Sequence, residues 1–108
     1  MADLSLEPTV DRDRCLIVVA GEIDAQTAPL LVAEVGRGLD DPAVRRVVAD
    51  LAQVTFLDST GIAALVRLRN KALDTGKQLA LRTPGPRVEK VLKITALDTV
   101  FEIERATG

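Results

Sequence analysis

The sequence predicts one α/β domain over residues 1–108, a mixed, mostly parallel sheet of four to five strands with three to four helices packed on it. Three observations carry that expectation. Apolar runs at residues 15–20, at 47–49 with Leu51, and at 79–81 suit buried strands. Between them lie stretches with apolar residues at helical spacing, and strands alternating with helices imply parallel pairing through right-handed crossovers. At 108 residues, of which 47% are hydrophobic, the chain is large enough for a single core and too small for two.

Each element has its own signature. Leu4, Leu6 and Val10 alternate with polar residues, as in a half-exposed edge strand that joins the sheet antiparallel, and Asp11, Arg12 and Asp13 make a turn. Residues 15–21 are continuously apolar, as in a strand covered on both faces, and Gly21-Glu22-Ile23-Asp24 ends them. From about Thr27 the pattern is helical, with Thr27 as a cap and Pro29 in the first turn, where no intrahelical donor is lost. Gly36 and Gly38 weaken its far end, and Asp40-Asp41-Pro42 breaks it before a strand over 44–51. A polar–apolar bridge from Gln53 to Asp58 leads into a helix of about four turns, with Leu65, Leu68 and Ala72 on one face and Arg67, Asn70 and Lys71 on the other. Gly76 suits a left-handed stop. After the third strand and a Thr83-Pro84-Gly85-Pro86 loop, Val88, Val91, Leu92 and Thr95 share a helical face. Val100, Phe101 and Ile103 suggest a last short strand before a polar tail.

Composition removes several classes of function. There is no histidine, so a Ser-His-Asp triad and ordinary zinc sites are unavailable. The single Cys15 lies in a strand-like run and reads as a small core residue, not a nucleophile. Thr75-Gly76-Lys77 lacks the upstream glycine of a phosphate loop, where Lys71 stands, and is better read as a helix end. Net charge is −2 with scattered basic residues and only two aromatics, which leaves nucleic acid without a footprint or a stacking platform. No apolar run approaches a membrane span, and no signal peptide is visible. A cytoplasmic, non-enzymatic protein is expected, monomeric and with neither cofactor nor metal.

One corner stands out: Asp58, Ser59, Thr60 and Gly61, where strand gives way to helix. A helix N-terminus presents unpaired N–H groups and partial positive charge, and so suits a phosphate or another anion. Ser59 or Asp58 can equally be a plain N-cap. No Glu or Gln stands three positions after Ser59 or Thr60 to complete a capping box. Gly61 in a first turn costs up to about 1 kcal/mol relative to alanine, as expected of backbone exposed for close approach.

Phe56-Leu57-Asp58-Ser59-Thr60-Gly61-Ile62 after a Val-rich strand, with Gly21-Glu22-Ile23-Asp24 upstream, resembles the STAS-domain anti-sigma-factor antagonists of bacteria. The similarity covers nearly the whole chain. It implies that Ser59 is the phosphoacceptor, Thr60 a variant of the second hydroxyl position, and Asp24 and Asp58 acidic neighbours. The implied partners are an anti-sigma factor that is also a serine kinase and a metal-dependent serine phosphatase that resets the switch. Asp24, Asp58, Thr60, Gly61 and Ile62 are then expected partner contacts, although turn, cap and core roles stand beside these, and Val66, like Ile62, borders the apolar face. A STAS module that only binds, as a stress-signalling scaffold or a transporter-associated component, is the alternative.

Overall fold

The computed structural model describes residues 3–105. A five-stranded sheet runs in chain order: β1 (Leu4–Asp11), β2 (Arg14–Ile23), β3 (Arg46–Leu57), β4 (Gln78–Arg82) and β5 (Glu102–Glu104). β1 pairs antiparallel with β2, and the remaining neighbours are parallel. Three α-helices make the crossovers: α1 (Ala28–Asp40), α2 (Ser59–Thr75) and α3 (Pro86–Ile94), followed by a 3-10 turn at Leu97–Thr99. The polar tail expected after Ile103 lies, beyond Arg105, outside the described residues.

Parallel strands laid down in chain order, each joined by a right-handed crossover, put every helix on the same face of the sheet. The register agrees. Cys15, Ile17 and Val19 of β2 sit level with the buried face of β3, and Gly38 of α1 packs against Val47 and the Cys15 sulfur. A Cβ at Gly38 would lie 3.2 Å from Val47, so the glycine brings α1 close to the sheet. Burial pushes the Cys15 thiol pKa up, reinforced by the Glu34 and Asp41 charges, which keeps it a neutral core side chain.

The prediction that the second strand is covered on both faces is corrected. Leu16, Val18 and Ala20 are only half-buried, because no helix covers that side. There Val48 and Ala80, fully buried but outside the helix-side cluster, are roofed by charged side chains. Arg14 bonds Glu104 at 2.8 Å, and Arg46 reaches both Glu104 and Glu102. Arg46 lies two residues before Val48 on the same face of β3, and the stems of such arginines cover apolar surface while their heads meet carboxylates.

The expected bridge at 53–58 is also corrected: β3 runs on to Leu57. Leu51 and Ala52 oppose Val19 alone in a bulge, and Asp50 accepts from the Ala52 N–H at 3.0 Å. Beyond the bulge the strand still pairs with β2, burying Val54 and Leu57. Other differences are local. Val10 is 58% exposed next to the β1–β2 turn, Thr95 is exposed beyond α3, and Phe101 is buried just before β5. Gly76 stops α2 at φ 69°, the left-handed conformation its position predicts.

Glu104 joins the short β5 to β2 and β3 through Arg14 and Arg46. Burial, the largest single influence, pushes its pKa up, but the bonds and charges of Arg46 and Arg14 together outweigh it and hold the carboxyl below its ordinary value of 4.5. A depressed carboxylate pKa stabilises the fold above the unfolded value, and that stability is lost as pH falls through the folded value. Urea midpoints should therefore drop as the wild type is acidified below about pH 4.5. Glu104→Gln should be less stable near neutrality and lose less over the same interval.

Candidate functional site

The carboxyl ends of β2 and β3 meet the amino ends of α1 and α2, and all the singled-out polar residues gather there. Ile23 pairs with Leu57, and the Asp58 N–H donates to the Ile23 carbonyl at 3.3 Å, so Asp24 and Asp58 leave adjacent strands side by side. Asp58 is the N-cap of α2: its Oδ1 accepts from the Gly61 N–H at 3.0 Å and its carbonyl from the Ile62 N–H at 2.9 Å. Ser59 is the first helical residue, exposed, with no hydrogen bond from its hydroxyl to the described residues. Thr60 follows and is also exposed.

The geometry separates the cap from the free alcohol. Asp58 satisfies one orphan donor of α2, which leaves Ser59 to project into solvent at the positive end of the helix. A phosphate attached there would meet backbone N–H groups of the first turn on one side and water on the other.

Gly61 is not exposed backbone. It is buried, and a Cβ would lie 2.4 Å from Leu57 Cδ1, 2.8 Å from Ile23 Cγ2 and 3.1 Å from the Ile23 carbonyl. The glycine therefore serves close contact inside the protein, seating the first turn of α2 on the end of β2; the expectation of exposed backbone at Gly61 is corrected. Ile62 is half-buried and packs against the core, and Val66 is half-buried.

Asp24 is bound up in its own turn. Its Oδ1 accepts from the N–H groups of Gln26 at 2.9 Å and Thr27 at 3.0 Å, and its carbonyl accepts from the Ala28 N–H at 2.8 Å. The sequence predicts only a cap at Thr27, yet its side chain makes no cap hydrogen bond. The hydroxyl is turned inward, with the residue 3% exposed. It donates to the Glu22 carbonyl at 2.7 Å and accepts from the Asp24 N–H at 2.9 Å. The spacing Asp24-x-x-Thr27 carries the signal for such a reciprocal turn. Among the described residues no three His, Cys, Asp or Glu side chains gather to hold a metal ion, and no helix is long and apolar enough to cross a membrane.

Fold and corner define a class: a small α/β domain with helices on one face and a solvent-exposed hydroxyl opening its second helix. The chain belongs to the STAS-domain family, whose model matches residues 6–108. It is 35% identical over 103 residues to the anti-sigma-B factor antagonist of Listeria monocytogenes, covering 91% of this chain and 85% of that protein. The crystal structure of an anti-sigma factor antagonist from Mycobacterium paratuberculosis superposes with a TM-score of 0.79 at 29% identity, covering 94% of this chain and 86% of that one. The fold is also that of the anti-sigma factor antagonist SpoIIAA in its unphosphorylated form, with TM-score 0.78, 23% identity and coverage of 97% and 89%. It is likewise that of Bacillus SpoIIAA in its phosphorylated form, with TM-score 0.73, 22% identity and coverage of 97% and 92%.

Three substitutions should separate scaffold from exposed group. Gly61→Ala should lower stability, since overpacking of about 1–3 kcal/mol exceeds a helix-propensity gain of up to about 1 kcal/mol. Asp58→Ala should cost about 1 kcal/mol through the lost cap. Ser59→Ala should stay within about 0.5 kcal/mol. Urea unfolding of the purified variants checks all three, and a Ser59→Ala loss as large as that of Gly61→Ala would contradict the geometry.

Proposed function

We propose that this chain is an anti-sigma-factor antagonist acting by partner switching in the bacterial cytoplasm. Unphosphorylated, it binds an anti-sigma factor that is also a serine kinase, and the sigma factor is freed. The kinase phosphorylates Ser59 and the complex parts; a metal-dependent serine phosphatase resets the cycle. The observation that carries this is the exposed, unbonded Ser59 hydroxyl at the first position of α2. The names of the relatives support the class of partner.

The chain is a substrate in this cycle, not a catalyst. The kinase supplies ATP, magnesium and any base, because the corner offers only carboxylates already engaged in turn and cap.

Energetics favour a switch that leaves the fold alone. Phosphorylation adds about −1.5 to −2 charges. In the free protein water solvates them, and the α2 dipole contributes about 0.3–1 kcal/mol, opposed by Asp58 and Asp24 nearby. Buried against a docked partner without a counter-charge, the same phosphate costs about 2–5 kcal/mol. Since about 1.4 kcal/mol is tenfold in affinity, that cost separates the complex while the domain stays folded.

Intact-mass spectrometry after incubation with the anti-sigma kinase and ATP should find one phosphate on the wild type and none on Ser59→Ala. Modification elsewhere with Ser59 untouched would overturn the assignment. Ser59→Asp should weaken kinase binding at least about tenfold while moving the melting temperature by only a few degrees, roughly the shift of a sub-kcal/mol change. Equal affinity for the two forms would remove the switch.

A further inference from the structure

Next to Ser59 a groove of about 410 Å³ runs between α1 and α2. Ala28 and Ala64, both buried, and the half-buried Val32 lie along it, with Ala63 exposed beside them. Thr60 and Arg67 also line it, and they stand seven residues apart on α2, about 10 Å along the helix. Small side chains on both helices leave a trough of the kind into which a third helix fits ridge to groove.

Two features identify the occupant. Thr60 is the neighbour of Ser59, so a partner that covers the phosphoacceptor also covers the end of the groove nearest Thr60. Arg67 is the one charged residue lining the groove; it is exposed and enters none of the ion pairs among the described residues. A complementary surface is therefore apolar with an acid beside it. A second copy is a poor match, since a two-fold contact would set Arg67 against a groove with no acidic lining.

We infer that the groove receives an amphipathic helix of the anti-sigma kinase, seating an apolar side chain between α1 and α2 and bringing a carboxylate to Arg67. This rests on the partner-switching function proposed above and adds a second anchor to it. Ser59 releases the complex when modified, whereas the groove supplies affinity and sets which acidic, apolar helix is accepted.

The test titrates the kinase that modifies Ser59 against wild type, Ala63→Leu, Arg67→Glu, Arg67→Lys and Ser59→Asp, with Lys90→Ala on α3 as control. Ala63→Leu fills the groove without altering charge, and each substituted side chain is exposed, so thermal melts should lie within a few degrees of the wild type. Ala63→Leu and Arg67→Glu should each raise Kd at least about tenfold, with Arg67→Lys within about threefold and Lys90→Ala unchanged. Full affinity of Ala63→Leu and Arg67→Glu, with Ser59→Asp still releasing the kinase, would overturn the groove and leave the switch standing. Wild type and Ser59→Asp binding equally would overturn the switch and, with it, the assignment of the groove to this kinase. A dimer of the isolated chain that Ala63→Leu splits would give the groove to a second copy and overturn the inference.

Discussion

The contact on which the site depends is the one between Gly61 and the end of β2. A helix can start only as close to a sheet as its first-turn side chains allow, and here Ile23 and Leu57 leave no space for even a methyl group. That approach fixes the angle at which α2 leaves β3. It also lets the Asp58 carboxylate turn back onto the Gly61 N–H. With Gly61 facing inward and Asp58 engaged as the cap, Ser59 between them faces outward. The exposure of a single hydroxyl thus follows from a packing constraint on the opposite side of the same turn.

The neighbouring loop is held by equally local means. Thr27 and Asp24 exchange hydrogen bonds across one turn, and the Thr27 hydroxyl also ties that turn back to Glu22 of β2. Two carboxylates therefore stand at fixed positions beside the serine without being spent on ion pairs. An added phosphate meets repulsion from them and attraction from the helix dipole, terms of opposite sign. The large term arises only when a partner removes the water, which is why a modification tolerated by the fold can be decisive at an interface.

Much of this was legible in the residues. The order of the inner strands and the helices follows from three apolar runs and three helical stripes, and Gly76 and Pro29 marked helix ends by mechanisms that need no tertiary context. The Asp58–Gly61 corner was legible as a helix N-terminus. The side of Gly61 that is crowded was not, because Ile23 lies far away in sequence. The extension of β3 through residues 53–57 was hidden by a bulge, which breaks the alternation that normally reveals a strand. The roof of arginines and glutamates over Val48 and Ala80 was invisible for a related reason: those charges come from three strands and meet only once register is set. A continuous apolar run predicts two covered faces, and here long charged side chains took the place of the second helical layer.

On this geometry, charge added at Ser59 acts at the surface and not by rearranging the domain. Amide proton–nitrogen correlation spectra of the unphosphorylated and the Ser59-phosphorylated chain test it most directly. Resonance changes should be confined to the first turn of α2 and the Asp24–Thr27 loop, with the amides of β4 and α3 unmoved. Changes spread through the sheet and α3 would show that the phosphate works by remodelling the fold, and would contradict it.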